Sequence, residues 1–361
     1  MTRWCLGGVL FLAMACVVWF TAAMWQAKRA SAPYPREFVR PSKLNQYNSP
    51  ESWPSSFDRD PINLSPRNGR SRVLVIGSGL PTPNAFRTGP SLAVIVDGYP
   101  YFVDAGEDVW RGMGQAVVMH GDWLADVFDL NNLKYLFLTH LHEDHTVGIP
   151  TWILSPYKFG SRADKVVFGP KGTAAMLDHI LAAWSIDVRD MQEGSTASPP
   201  DGSRVKKTEL TEEGEIHRDK RVTVSAYRKK HGALKDTFAY RFVTSDRVLD
   251  FGGDGHYSPG LVEGARNADV LFIECFGLAN IQYATWGGDT VEEKKKTIGA
   301  YHMFPEDLVR VKKESGVKSI VLIHEQNYAP PGNYKRTGLI DELRAAGLDG
   351  PVHSSIDGDI Y

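Results

Sequence analysis

An α/β fold of two β-sheets packed face to face, with helices on the outside, is what this 361-residue chain predicts. Three observations carry that expectation. Strand-like runs dominate each half, and helical patterns lie between them. Val270-Leu271-Phe272-Ile273 and Ile320-Val321-Leu322-Ile323 are continuous apolar runs of the kind buried on both faces. Val222 to Tyr227 and Thr237 to Thr244 alternate as half-buried strands do. The length suits one large domain with terminal additions.

The chain opens on an apolar segment from Trp4 to Ala27, preceded by Arg3 and followed by Lys28-Arg29. It is long enough to span a bilayer. It also has the basic start and small residues (Thr21-Ala22-Ala23, Ala30-Ser31-Ala32) of a secretory signal. Residues 1–29 are therefore expected to be a hydrophobic signal peptide or a transmembrane anchor, and the protein exported: periplasmic, extracellular or held at the membrane. Basic residues at both ends leave the orientation open. Full-length protein in the soluble cytoplasm of the native host would contradict the expectation. Residues 30–70 carry prolines at 33, 35, 41, 50, 54, 61 and 66, and read as an extended linker.

The globular domain is expected over 71–361. Val73-Leu74-Val75-Ile76 reads as a strand and Gly77-Ser78-Gly79 as a turn. Leu92 to Val96 and Tyr101 to Asp104 form a hairpin around Asp97-Gly98. Tyr135-Leu136-Phe137-Leu138-Thr139 is another strand, followed by polar residues and a helix over Thr146 to Leu154. Val166-Val167-Phe168 is a strand and Gly172 to Trp184 a helix, before a Pro/Ser/Gly loop from Gly194 to Ser203. Val248 to Phe251 is a further strand, and helical patterns near Glu306 to Glu314 and Gly338 to Ala346 alternate with the late apolar runs.

Composition narrows the partners. Forty-one Lys+Arg against 43 Asp+Glu give a formal charge of -2, which offers no electrostatic case for a nucleic-acid partner. Cys5, Cys16 and Cys275 form neither a disulfide framework nor a cysteine zinc site.

The chemistry concentrates in His140-Leu141-His142-Glu143-Asp144-His145, directly behind an apolar strand. Imidazole with carboxylate suits zinc, or manganese or iron. Residues two apart on an extended chain point the same way, so His140 and His142 can clasp one ion. Asp144 and His145 follow as the chain curls and can reach toward a second. Other polar residues follow apolar strands in the same manner: His231 after Val224 to Lys230, Asp254 after Val248 to Gly253, and His324 after Ile320 to Ile323. Each alone is more often structural; their joint appearance with the cluster makes them metal-ligand candidates.

These residues, in this order, resemble the metallo-β-lactamase superfamily, and within it the branch of ribonuclease Z and zinc-dependent arylsulfatases. Val75 to Pro81 with Arg87-Thr88-Gly89-Pro90-Ser91 resembles the branch's opening segment. Asp104-Ala105-Gly106-Glu107 resembles its Asp-x-Gly-Glu turn, and Asp269 to Glu274 its late strand ending in glutamate. The resemblance implies a four-layer αβ/βα sandwich of two mixed β-sheets with outer helices. It implies two divalent metal ions, zinc foremost. One would be held by His140, His142 and His231, the other by Asp144, His145 and His324, with Asp254 and a hydroxide bridging them. Asp104 and Thr139 are candidates for orienting the imidazoles. Asp144, Glu274 and His302 are the catalytic candidates, the last two resembling the family's glutamate–histidine pair for leaving-group protonation. The chain departs from the branch at Gly253-Asp254-Gly255-His256, where relatives carry Gly-Asp-Thr.

The expected reaction is hydrolysis of a small ester, an aryl sulfate or phosphate ester foremost. The segment Ser155 to Arg204 shows no basic, glycine-rich arm of the kind that grips transfer RNA in such relatives. Alternatives in order are a lactonase or carboxylic-ester hydrolase, a ribonuclease Z-like phosphodiesterase, and a non-catalytic metal-binding module. Trp152, Tyr157, Trp184 and Trp286 are candidates to wall an apolar leaving-group pocket. A small-molecule ester is the expected partner, with homodimerisation a further possibility.

Overall fold

The computed structural model describes residues 71–82, 87–194, 198, 200–279, 281–326 and 338–361. The expected signal or anchor at 1–29 and the linker at 30–70 lie outside the described residues. Among those described, no helix is long and apolar enough to cross a membrane.

Two sheets form among the described residues. The first runs in chain order: β1 (Ser71–Gly77), β2 (Ser91–Val96), β3 (Tyr99–Val103), β4 (Tyr135–Phe137), β5 (Lys165–Gly169) and β6 (Val205–Glu209). Pairing is antiparallel from β1 to β3 and parallel from β3 to β6. The second orders β13 (Val352–Ser354), β12 (Ser319–Leu322), β11 (Val270–Ile273), β10 (Val248–Gly253), β9 (Phe238–Val243), β8 (Thr223–Arg228) and β7 (Gly214–Arg218). There β7 to β10 are antiparallel and β10 to β13 parallel. Both sheets are therefore mixed, as expected. The tail after β13 returns to β1, where Val73 and Tyr361 exchange backbone hydrogen bonds of 2.9 Å each way.

The layers follow from the alternation of side chains. Val73, Val75, Val94, Phe137, Phe242, Phe251 and Phe272 fill the space between the sheets. The opposite face of the first sheet (Leu74, Ile95, Phe102, Leu136) is covered by α1 (Val109–His120), α2 (Trp123–Val127), α3 (Ile149–Lys158) and α4 (Thr173–Ala183), with α5 (Ser185–Glu193) beyond. The opposite face of the second packs on α6 (Pro259–Gly264), α8 (Pro305–Ser315) and α9 (Gly338–Ala345). This is the four-layer αβ/βα sandwich.

Several elements differ from the sequence reading for local reasons. The helix expected from Thr146 starts at Ile149, because Glu143–His145 form a 3-10 turn and Thr146 caps it by donating to His142 O at 2.8 Å. β6, with the sequence VKKTE, escaped the reading because it carries little apolar signal; it is an edge strand. α7 (Val291–Tyr301) also escaped it, being largely polar and held by a capping box between Thr290 and Glu293. The Asp97-Gly98 turn forms as expected, with φ of 49° and 75°.

Candidate metal centre

One rim of the sandwich collects the carboxyl ends of β3, β4, β8, β10, β11 and β12. Onto it they deliver Asp104, Thr139-His140, His231, Asp254, Glu274 and His324 respectively. The approach is close enough to demand glycine below the cluster. A Cβ on Gly106 would lie 2.4 Å from Asp144 O, and one on Gly89 2.9 Å from the same atom. Here lies the physical reason for the glycines of the opening segment and the Asp104-Ala105-Gly106-Glu107 turn. Gly253 takes φ 55° against Thr139 and turns the chain so that Asp254 meets the rim.

All seven ligand candidates converge. The rings of His140, His142 and His231 have centroids 4.6–4.7 Å apart in every pairing. His142 Nδ1 and His231 Nε2 face each other at 3.0 Å. Beside them, Asp144 Oδ2 lies 3.0 Å from His324 Nε2 and 3.6 Å from His145 Nε2. Asp254 lies between, 3.5 Å from His145 Nε2 and 3.3 Å from His324 Nε2. The ligand atoms group as His140/His142/His231, as Asp144/His145/His324, and as His140/His145/Asp254, each set within a span of 4.8 Å.

Asp104 explains the orientation of two imidazoles. Its Oδ1 accepts from Thr139 N at 2.8 Å, and its Oδ2 from Thr139 Oγ1 at 2.7 Å and His145 Nδ1 at 2.8 Å. The Thr139 hydroxyl has thus spent its proton on Asp104 and accepts from His140 Nδ1 at 3.0 Å. His140 then presents an unprotonated Nε2 to the centre, and the Nδ1 hydrogen bond aims the His145 Nε2 at it. His231 is held likewise, its Nδ1 donating to Tyr301 O at 2.6 Å. Asp104 and His324 adopt positive φ, 57° and 50°, a strain of the sort held at functional sites.

Divalent ions fit this donor set on two grounds. His140 Nε2, His145 Nε2 and Asp254 Oδ1 are buried with no hydrogen-bond partner, a costly arrangement unless a cation satisfies them. The charges agree. Burial pushes His140 and His142 below the ordinary histidine range and His231 down to about 3, so these three are neutral donors. In the acidic half, burial would raise Asp144 and Asp254, but the neighbouring His145 and His324 outweigh it and hold both carboxyls low. His145 is itself raised despite burial, by Asp254, Asp104 and Asp144. That half carries an excess of negative charge.

A cleft of about 370 Å³ opens over the cluster, lined by His142, Asp144, His231, Asp254, His324 and His302, with Leu80, Trp286 and Tyr301 on its walls. Glu274, fully buried, sits behind His302: its Oε1 is 3.3 Å from His302 Nδ1 and accepts from Met303 N at 3.0 Å. Burial lowers the His302 pKa, yet Glu274 overcomes this and raises it. Gln326 Nε2 stands 3.2 Å from each His302 ring nitrogen.

Gln326 and Lys229 were missed from sequence. Lys229 is buried and donates from Nζ to Asp254 O, and burial lowers its pKa to about 8. A polar residue two positions beyond His324, and a lysine two before His231, are the only signals they offered. His256 does not line the cleft; it is half-buried and its backbone N–H donates to Lys230 O at 3.1 Å. Of the aromatic candidates only Trp286 lines the cleft. Trp152 is buried in the core beneath the first sheet, Tyr157 is buried on the same helix, and Trp184 is exposed at the α4–α5 junction.

Comparison with known proteins agrees with this architecture. A family model described as beta-lactamase superfamily domain matches residues 101–324. Ribonuclease Z of Mycobacterium sp. (strain KMS) is 27% identical over 263 residues, covering 72% of this chain and 84% of its own length. Ribonuclease Z of Nanoarchaeum equitans (strain Kin4-M) is 22% identical over 290 residues, covering 70% and 82%. The crystal structure of human tRNase Z, short form, superposes with a TM-score of 0.56 at 18% identity, covering 80% of this chain and 98% of that one. Zn(2+)-bound PqqB from Methylobacterium extorquens does so with 0.53 at 16% identity, covering 80% and 99%. With the family model spanning more than half its length and both sheets in place, the chain belongs to the β-lactamase superfamily, as a metallo-β-lactamase-fold, metal-dependent hydrolase of ester bonds.

Proposed function

We propose that this protein hydrolyses a phosphate ester at a dinuclear centre. His140, His142 and His231 would hold one divalent ion, Asp144, His145 and His324 the second, and Asp254 would face both. The observation that carries the reading is the set of buried, unpartnered ligand atoms on His140, His145 and Asp254 at the floor of an open cleft. Two ions held there would supply an activated water at neutral pH and neutralise charge on the ester oxygens. The residues around them do the rest. Asp104 and Tyr301 O fix the imidazole tautomers. His302, its pKa raised by Glu274 against the effect of burial, stands beside the cleft where it can give a proton to the departing oxygen. As the oxygen of the activated water, one proton already released to solvent, bonds to phosphorus, the ester P–O bond breaks and the leaving oxygen takes the His302 proton, which solvent then restores.

The relatives favour phosphorus over sulfur in this reading. The matched sequences are named ribonuclease Z, and a structural neighbour at TM-score 0.52 is titled a diphosphatase. The sulfate ester considered from sequence has no such support. Those same names favour a second reading, RNA processing. Against it, in residues 155–204 six lysines and arginines balance six aspartates and glutamates, so this segment offers no net charge to a polyanion.

The test is metal analysis of the full-length protein, followed by a panel of bis-p-nitrophenyl phosphate, p-nitrophenyl sulfate, a lactone and pre-tRNA. We expect turnover of the phosphate diester with more than one metal per chain. Turnover of the lactone alone would overturn the ester class, pre-tRNA alone would establish the second reading, and fewer than one metal per chain would end the dinuclear centre.

A further inference from the structure

We propose that Trp286 makes the cleft selective for substrates whose leaving group is a planar aromatic ring. The proposal rests on the phosphate-ester reading and adds the chemistry of the group released. Three observations support it.

The first is position. Trp286 lines the cleft, and its indole centroid lies 5.6 Å from the His302 ring, nearly perpendicular to it at 78°. A leaving oxygen within reach of His302 therefore carries its substituent alongside the indole. The second is the state of the indole face. Trp286 meets Tyr301 and Phe276 at 74° and 75° as well as His302, edge to face each time. Among the described residues none stacks parallel on it, and the half-buried indole lines the cleft, where a ligand ring can meet it.

The third is rigidity. Lys294, itself buried, donates from Nζ to Gln282 O at 2.9 Å and Ala284 O at 2.6 Å, just before the tryptophan. Just after it, Gly287 and Gly288 turn at φ 94° and 128°, and Asp289 N and Thr290 N donate to Glu293 at the start of α7. Ile281, Ala284, Phe276 and Ile298 form a small core of their own under the loop, and Trp286 packs on it. The wall is built in place, so stacking costs little ordering entropy. Stacking on an aromatic side chain corresponds to about a tenfold preference or more.

Binding of inert analogues tests this without turnover. Full-length, metal-loaded protein is titrated calorimetrically with two methylphosphinates in which a P–CH2 bond replaces the scissile P–O bond, one carrying a phenyl ring and one a cyclohexyl ring. We expect the phenyl compound to bind about tenfold more tightly, the preference to vanish in Trp286→Ala, and most of it to persist in Trp286→Phe. Equal affinities in the unmutated protein, no binding of either compound, or a preference that survives Trp286→Ala would each overturn the proposal. Hydrolysis of the corresponding phosphate diesters is then judged separately: an intact phenyl preference without turnover would count against the hydrolytic reading and leave the stacking site standing.

Discussion

At the scale of single residues, the side chain on which the centre turns is Asp104, which is not itself one of the ligand candidates. Its carboxylate receives the Thr139 hydroxyl and amide and the His145 imidazole, and through Thr139 it sets the His140 ring. One buried carboxylate thus fixes two tautomers. Asp104→Asn separates this role from packing, because asparagine tolerates the φ of 57° at that position. Its amide cannot accept from every donor that the carboxylate satisfies. We expect a loss of about 10- to 100-fold in metal affinity or activity with the fold intact, checked by metal stoichiometry and circular dichroism. Full metal content in this variant would show that the imidazoles orient without Asp104. His302 and Glu274 make a different kind of pair: neither belongs to the ligand groups, and in the proposed reaction their contact of 3.3 Å would serve a proton rather than a cation.

Among the elements, the start of β5 places a charge where the fold gains nothing evident from it. Lys165 is fully buried, its Nζ has no hydrogen-bond partner, and it lies 5.7 Å from the Trp152 ring centre. Burial lowers its pKa from 10.5 to about 8. Below pH 8 the folded and unfolded chains both carry the ammonium, and the folded state bears the full penalty. Between pH 8 and 10.5 the folded chain sheds the proton while the unfolded chain keeps it, so stability rises with pH. Lys165→Met should therefore stabilise the domain at pH 7 by about 3 kcal/mol, at 1.36 kcal/mol per pKa unit. The advantage should shrink as pH climbs toward 10.5. Denaturant unfolding at pH 7 and pH 10 checks both, and a variant no more stable at pH 7 would contradict the burial penalty. The same strand escaped no sequence reading, since Val166-Val167-Phe168 is plainly apolar. Its neighbour β6 did, because VKKTE has one apolar residue, and its place beside β5 comes from backbone pairing and from polar contacts of Lys207 and Glu209 with α4 and its start.

For the whole molecule, the candidate metal centre would double as a clamp between the two sheets: Asp104, His140 and His145 follow strands of the first, and His231, Asp254 and His324 follow strands of the second. Ions bound across that seam would stabilise the folded state by mass action, about 2.7 kcal/mol at a hundredfold excess over Kd. Chelation should lower the thermal midpoint by about 5 °C or more, and zinc or manganese should restore it. An unchanged midpoint after complete metal removal, measured by calorimetry, would contradict a clamp. Much of this was legible in the linear chain. The strand runs, the cluster from His140 to His145 and the polar residues after later strands depend on local pattern, and local pattern is what an amino-acid sequence records directly. Sequence by itself therefore determined the two-sheet α/β class and the seven candidate ligands. Only the tertiary structure decided which groups share a point in space: that Asp104 serves two imidazoles, that Lys229 and Gln326 stand beside the centre, that His256 does not line the cleft, and that Trp286 alone of four aromatic candidates walls it. The physical reason is that the site joins residues 24 to 180 positions apart, and such approaches are set by sheet order and register, which no single strand's sequence encodes.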